Sequence, residues 1–381
     1  MVTDLVRTAE RLARGFAPRA AQHDASGVFP AADFADLRAA GLLGLMVPAR
    51  LGGLGAGFAE YAAVATELAR GNGATALVFN MHASVTGALA HTPDALVRAL
   101  GAPDSYFEAR DRILTGAATG SLYAVAMSER GAGSRLSKLT TSYTRVDGGF
   151  RITGSKTFVS GAGHADAYLV AARDGGEVSQ FLVPAGEGLR VEETWDSLGM
   201  RATGSHDLHL DVVVSADALL GGLEGLALLA AQLMPQWLVA SYAAVYVGVA
   251  RAAIDAAVAH LVERNLHELP AVRARIGRAD AAVAAAALVV TEAARRVDSA
   301  PGDDETNVWV WRAKLLAGTT AAEVAASMLE AAGTSATRRG HPLERLYRDA
   351  RCGSLQPATS DVCADWLGTV ALGGDPNPGR W

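Results

Sequence analysis

The chain has 381 residues, half of them hydrophobic and 19% charged, with a formal net charge of −6. That composition can bury ample apolar surface, which excludes a disordered chain, and its acidic balance leaves no basic footprint for nucleic acid. Two cysteines, Cys352 and Cys363, cannot build a disulfide framework and lack metal-ligand company, so a reduced cytoplasmic protein with no metal is expected.

Residues 1–118 read as helices. Apolar positions recur three or four apart over Leu5–Arg19, Ala31–Ala40, Glu60–Arg70 and Ala74–Ala90. The amphipathic N-terminus mixes acids and bases and has no apolar signal core. A glycine-rich stretch over 48–57 falls between helices, without the preceding strand or the following acid of a dinucleotide fingerprint.

From 119 to 220 the pattern changes to short strands bounded by Gly, Asp or Pro. Strands are predicted at Leu122–Met127, Leu139–Val146, Phe150–Thr153, Ala167–Ala172, Ser179–Val183 and His206–Val214, with a hairpin turn at Asp147-Gly148-Gly149. So many short strands suggest a small barrel or sandwich. His206 and His209, three apart in a strand, point to opposite faces and cannot chelate one ion.

From 221 to 381 the chain is helical again, at 223–264, 269–298, 305–332 and 359–372, and the short connections imply a bundle. The uncharged stretch Leu226–Ala250 is long enough to cross a bilayer. Gln232, Pro235, Gln236 and Ser241 interrupt it and much of its apolarity is alanine, so a buried core helix divided at Pro235 is predicted, with no membrane span. Residues 373–381 read as an exposed tail.

Three motifs carry the chemistry: Ala126-Met-Ser-Glu-Arg-Gly-Ala-Gly-Ser134, Gly154-Ser-Lys-Thr-Phe-Val-Ser-Gly-Ala162 and Trp195-Asp-Ser-Leu-Gly-Met-Arg-Ala-Thr-Gly-Ser205. A strand delivering hydroxyls and backbone amides into a glycine-rich turn can bond a flat heterocycle and an anionic tail. In this order, inside a helical–β–helical chain, they resemble the acyl-CoA dehydrogenase superfamily of flavoproteins over essentially the whole length. The resemblance implies an α+β fold: an N-terminal helical domain (1–118), a central β-barrel domain (119–220) and a C-terminal four-helix bundle (221–381). It also implies FAD, with FMN possible, and a homodimer or homotetramer.

Carried over by position, Met127 and Ser128 would contact the flavin ring. Gly133 and Ser134 would lie near the flavin and the acyl-CoA phosphates, Phe158 would stack beside the ring, and Ser160 would bond near its N5. Gly333 falls in the segment that matches a cofactor-binding turn. Ser134 and Tyr242 are the substrate-binding candidates. The implied reaction is α,β-dehydrogenation of an acyl-CoA or carrier-bound acyl thioester, a base taking the α-proton while hydride goes to flavin N5, with an electron-transfer partner downstream.

The sequence departs from that pattern at the base. Pro357 stands where the family's usual glutamate is expected, and the other family position falls near Leu238 and Val239. Arg135 replaces a common aspartate, and Glu330 replaces a glutamine near the cofactor phosphates. The stretch Ala332–Arg351 is similar instead to flavin-dependent monooxygenases of the same fold, which take reduced flavin from a reductase and use dioxygen. In that alternative His82 joins Ser160 as a catalytic candidate. A further alternative is a non-catalytic subunit paired with an active homologue. Arg348, Asp349 and Arg351 are expected to form a structural ion-pair cluster, Arg201 a structural contact, and Asp361 a helix N-cap.

Overall fold

The computed structural model describes residues 2–377. Six helices come first: α1 (Val2–Ser26), α2 (Ala31–Ala39), α3 (Phe58–Gly71), α4 (Gly73–His91), α5 (Asp94–Ala99) and α6 (Asp104–Ala118). Helix α4 is apolar on every side and buried on every side, as a helix with no polar face must be. The Asn72 side chain accepts from Ala74 N and so starts it. Helix α3 is capped from a distance: the Asp298 carboxylate accepts from Phe58 N and Ala59 N at 2.6 and 2.9 Å. An anion at that N-terminus also meets the positive end of the helix dipole.

Seven strands follow: β1 (Tyr123–Ala126), β2 (Ser142–Val146), β3 (Gly149–Val159), β4 (Ala167–Asp174), β5 (Glu177–Pro184), β6 (Leu189–Glu192) and β7 (His206–Ser215). They make one sheet. Strand β5 pairs along the full length of β4, whereas β1 and then β2 pair with β4 in parallel. The order continues β2-β3-β7-β6, antiparallel throughout. The sheet is therefore a curled half-barrel and not the closed barrel expected from strand number. Among the described residues β6 pairs with neither β1 nor β5, so the sheet stays open. The hairpin forms at Asp147-Gly148, with Gly148 at φ +77.

Strand β3 is much longer than its predicted Phe150–Thr153. Gly154, Ser155 and Lys156 break the apolar alternation yet keep pairing with β7, and a register shift follows between Lys156 and Val159. The second sequence motif is thus a bulged strand end.

The C-terminal helices are α7 (Ala227–Leu233), α8 (Ser241–Glu263), α9 (Pro270–Ser299), α10 (Asp304–Ala332), α11 (Pro342–Arg351) and α12 (Ser360–Ala371). The predicted helix 223–264 is divided, with a short 3₁₀ turn at Pro235–Trp237 between α7 and α8. Proline cannot donate to the helix ladder, so it restarts the chain there. Three long helices, α8, α9 and α10, pack together, with the shorter α11 and α12 against α10. Helix α8 is long and apolar enough to cross a membrane, but most of it is buried between α3, α4, α9 and α10. Gly248 lets α8 approach α3 closely, since a Cβ there would lie 2.2 Å from Thr66 O. The predicted tail extends beyond the described residues.

Candidate active site

A cleft of about 420 Å³ opens where the end of β1 faces α8, α10 and the start of α12. Met127, Ser128, Ser134 and Arg135 line it from the sheet side, and Leu238, Tyr242, Trp311, Pro357, Thr359 and Asp365 from the helices. The sheet-side wall is built by a tight turn. Glu129 N donates to Gly133 O and Gly133 N to Glu129 O, at 3.0 and 2.8 Å. Gly131 and Gly133 hold φ of +88 and +62, which favours glycine, and a Cβ at either would meet nothing within 4 Å.

Behind this wall lies a buried ion pair. Lys156 Nζ donates to Glu129 Oε1 at 2.8 Å, and the carboxylate also accepts from Thr140 N, Thr140 Oγ1 and Thr141 N. Burial alone would raise the Glu129 pKa, but these donors hold it down at about 2. Thr157 N donates to Ser128 O at 2.9 Å and ties the wall to β3.

The turn before α12 is held equally firmly. Tyr246 Oη donates to Gln356 Oε1 at 2.7 Å, and Lys314 Nζ donates to Gly353 O and Gln356 O. Gly318 lets that turn press on α10, as a Cβ there would lie 2.6 Å from Gly353 O. Burial pushes the Tyr242 hydroxyl up to about 12, so it stays protonated at neutral pH.

A second, apolar chamber of about 160 Å³ shares Val125, Met127 and Leu238 with the cleft. Its walls come mainly from α4, α7 and the Trp237 turn; Ser84, Thr92, Tyr106, Gln180 and Trp237 supply its polar side-chain atoms, and among the described residues no charged side chain lines it.

The structure thus brings together Met127, Ser128, Ser134 and Tyr242 but separates the other predicted residues. His82 requires correction. It is 1% exposed, its Nε2–H donates to Leu43 O at 2.7 Å, and its Nδ1 accepts from Tyr123 N at 3.0 Å. Both ring nitrogens are committed to backbone, and burial lowers the pKa to about 4, so the ring is a neutral brace between β1 and the α2–α3 connection. Ser160 is also buried away from the cleft, 2.9 Å from Ser205 Oγ, which in turn meets Thr203 Oγ1. Phe158 stands at the bulge with φ +58, 61% exposed and edge-on to Trp195 at 6.0 Å. Gly133 shapes the turn without lining the cleft. Gly333 closes α10 at φ +76, also outside the cleft.

Several neighbouring expectations are resolved by geometry. Glu330 is paired with Arg275 at 2.7 Å. Arg348 bonds Asp24, Glu344 and Leu198 O, and Asp349 accepts from Met200 N at 2.6 Å, but Arg351 bonds Ser354 and among the described residues stands outside that cluster. Arg201 holds Asp24 O and Asp196. Thr359 caps α12, so Asp361 belongs to its first turn. Among the described residues no group of three metal-ligating side chains occurs. Sequence reading passed over Trp311, Asp365, Lys314 and the Glu129–Lys156 pair.

Comparison with known proteins agrees with this architecture along the whole chain. Residues 3–95 match the acyl-CoA dehydrogenase N-terminal domain, 124–213 the middle domain and 240–359 the C-terminal domain. The chain belongs to the acyl-CoA dehydrogenase family. Within this acyl-CoA dehydrogenase family its relatives differ in chemistry. L-evernosamine nitrososynthase of a Micromonospora species is 32% identical, covering 98% of this chain and 92% of that protein. Benzylmalonyl-CoA dehydrogenase of Aromatoleum aromaticum is 29% identical over 91% of each. Among solved structures, FMN-bound TdsC of Paenibacillus sp. A11-2, a dibenzothiophene monooxygenase, superposes with a TM-score of 0.87 at 26% identity, covering 99% of this chain and 100% of that one.

Proposed function

We propose that this acyl-CoA dehydrogenase-family protein is a flavin-dependent monooxygenase that acts on an apolar substrate seated in the chamber beside the cleft. One observation carries the reading: cleft and chamber meet at Val125, Met127 and Leu238, and among the described residues no carboxylate lines that junction. Dehydrogenation of an acyl thioester needs a base at Cα. By the family resemblance, Pro357 falls where one such base is expected and Leu238 and Val239 fall near the other, and none of these side chains accepts a proton.

The cleft's donors fit a flavin. Tyr123 N points away from β4 to His82, so by strand alternation the backbone N–H and C=O of Val125 point the same way, at a residue that lines the cleft. With the Ser128 hydroxyl they match the amide-like edge of a flat heterocycle. Ser134 and Arg135 suit a phosphate, and the open glycine turn gives it room. Either FMN or FAD satisfies this set, and Gly333 would serve the cofactor only from a neighbouring copy in a homo-oligomer. Bound flavin supplies the redox chemistry, including, when reduced by a separate reductase, the reaction with dioxygen. The protein's part is to exclude water with Met127, Leu238 and Trp311, to donate from Ser128 Oγ, and to hold the substrate in the chamber.

Two measurements test this. Reduced FMN or FAD mixed with the protein and then with oxygen should reoxidise far more slowly than free flavin. Anaerobic addition of acyl-CoA thioesters to the flavin-loaded protein should leave the flavin absorbance unchanged. Bleaching by any thioester would instead make the protein a dehydrogenase, with Asp365 the nearest acid in the cleft.

A further inference from the structure

Lys314 is 1% exposed, among the most deeply buried charged side chains in the protein. Its Nζ donates to Gly353 O at 2.9 Å and Gln356 O at 3.2 Å, and it lies 5.9 Å from the centre of the Tyr242 ring. Tyr242 lines the cleft, as do Pro357 and Trp311, and Trp311 sits three residues before Lys314 on the same face of α10. The ammonium is therefore one side-chain layer behind the cleft wall.

The buried Lys156 has its Glu129. Lys314 has no such partner: among the described residues no carboxylate pairs with it, and its ammonium bonds only the two loop carbonyls. Burying an ammonium against carbonyls alone is costly, and an apolar side chain of the same length would fill the space without that cost. Burial lowers its pKa to about 8, which still leaves it mostly protonated at neutral pH. Among the described residues the charged side chains on the cleft surface itself are Arg135 and Asp365, both exposed and opposite in sign.

We propose that Lys314 gives the cleft a fixed positive backing that favours an anionic ring over a neutral one, so that the site prefers reduced flavin to oxidised flavin. Reduced flavin ionises at its ring near neutral pH, whereas the oxidised ring is neutral and both forms carry the same phosphate. Only the ring charge distinguishes them. A buried charge acts through a medium that screens it weakly, so a one-layer separation still has a measurable effect. A protein that must capture reduced flavin from a reductase and release it oxidised gains directly from that preference. This inference rests on the flavin reading above.

The test compares dissociation constants of oxidised and dithionite-reduced FMN under anaerobic conditions, followed by quenching of tryptophan fluorescence, for the wild-type protein, Lys314→Gln, Lys314→Met and Lys314→Arg. Wild type and Lys314→Arg should bind reduced FMN more tightly than oxidised. Lys314→Gln, which keeps a donor for the loop carbonyls, should lose about tenfold in affinity for the reduced form and little for the oxidised form. Lys314→Met should do the same if it folds. Equal loss for both forms would mean that Lys314 only anchors the loop, and it would overturn the proposal. So would a wild-type protein that binds both forms alike. If wild type binds neither form, the flavin reading itself fails and takes this inference with it.

Discussion

Lys156 Nζ and Glu129 Oε1 meet at 2.8 Å with both side chains almost wholly buried, directly behind the wall formed by Met127 and Ser128. Two motifs that lie about thirty residues apart in sequence are thereby joined at their charged members. The pair fixes the end of β1 against β3, and with it the edge that faces the cleft.

Removing one partner strands the other. Lys156→Met should lower unfolding free energy by about 3–5 kcal/mol, the usual cost of an uncompensated buried charge, and should weaken flavin binding as the wall loosens. Urea unfolding and flavin titration of the same variant check both.

Acid should expose the same pair. The folded-state pKa of Glu129 is about 2 against an ordinary 4.5, so its contribution is complete above 4.5 and is lost as pH falls from there through 2. His82 acts over a higher window. Its folded pKa is about 4 against 6.5, so the unfolded chain binds the proton first, and stability should decline as pH falls from 6.5 to about 4. Melting temperatures of wild type, Glu129→Gln and His82→Ala across pH 3–7 should show each window flattened in its own variant.

His82→Ala separates a brace from a catalyst. It leaves Leu43 O and Tyr123 N without their partner and opens a cavity, so a loss of about 2–4 kcal/mol is expected. Activity per folded molecule, and its pH profile near neutrality, should stay unchanged.

Arg348 pins α11 to α1 by bonding Asp24, Glu344 and Leu198 O together. Arg348→Lys should not substitute, because one ammonium cannot reproduce the two-pronged contacts to both carboxylates. Both Arg348→Lys and Arg348→Met should lose stability in urea, the latter by about 3–5 kcal/mol.

The chamber can be narrowed without touching the cleft. Ala88 lines it from α4, and Ala88→Phe should raise KM for an apolar substrate about tenfold while leaving the flavin dissociation constant within about twofold. Steady-state kinetics beside a flavin titration would measure the two separately.

Local pattern determined the order of the elements. The long apolar run of α4, the short apolar runs of β4 and β5, the Asp147-Gly148 turn and the break at Pro235 are all properties of short stretches of chain, so the sequence shows them directly. It also placed Met127, Ser128 and Ser134 together, because they share one turn. The tertiary structure alone decided the rest. Whether the sheet closes depends on which strands pair across it, and those pairings join residues far apart in the chain. His82 became a brace and not a catalyst because Leu43 and Tyr123 reach both of its nitrogens from different elements. Lys314 acquired its setting because α10, α8 and the turn before α12 converge on it; burial and partnership are created by convergence, and no single segment encodes them.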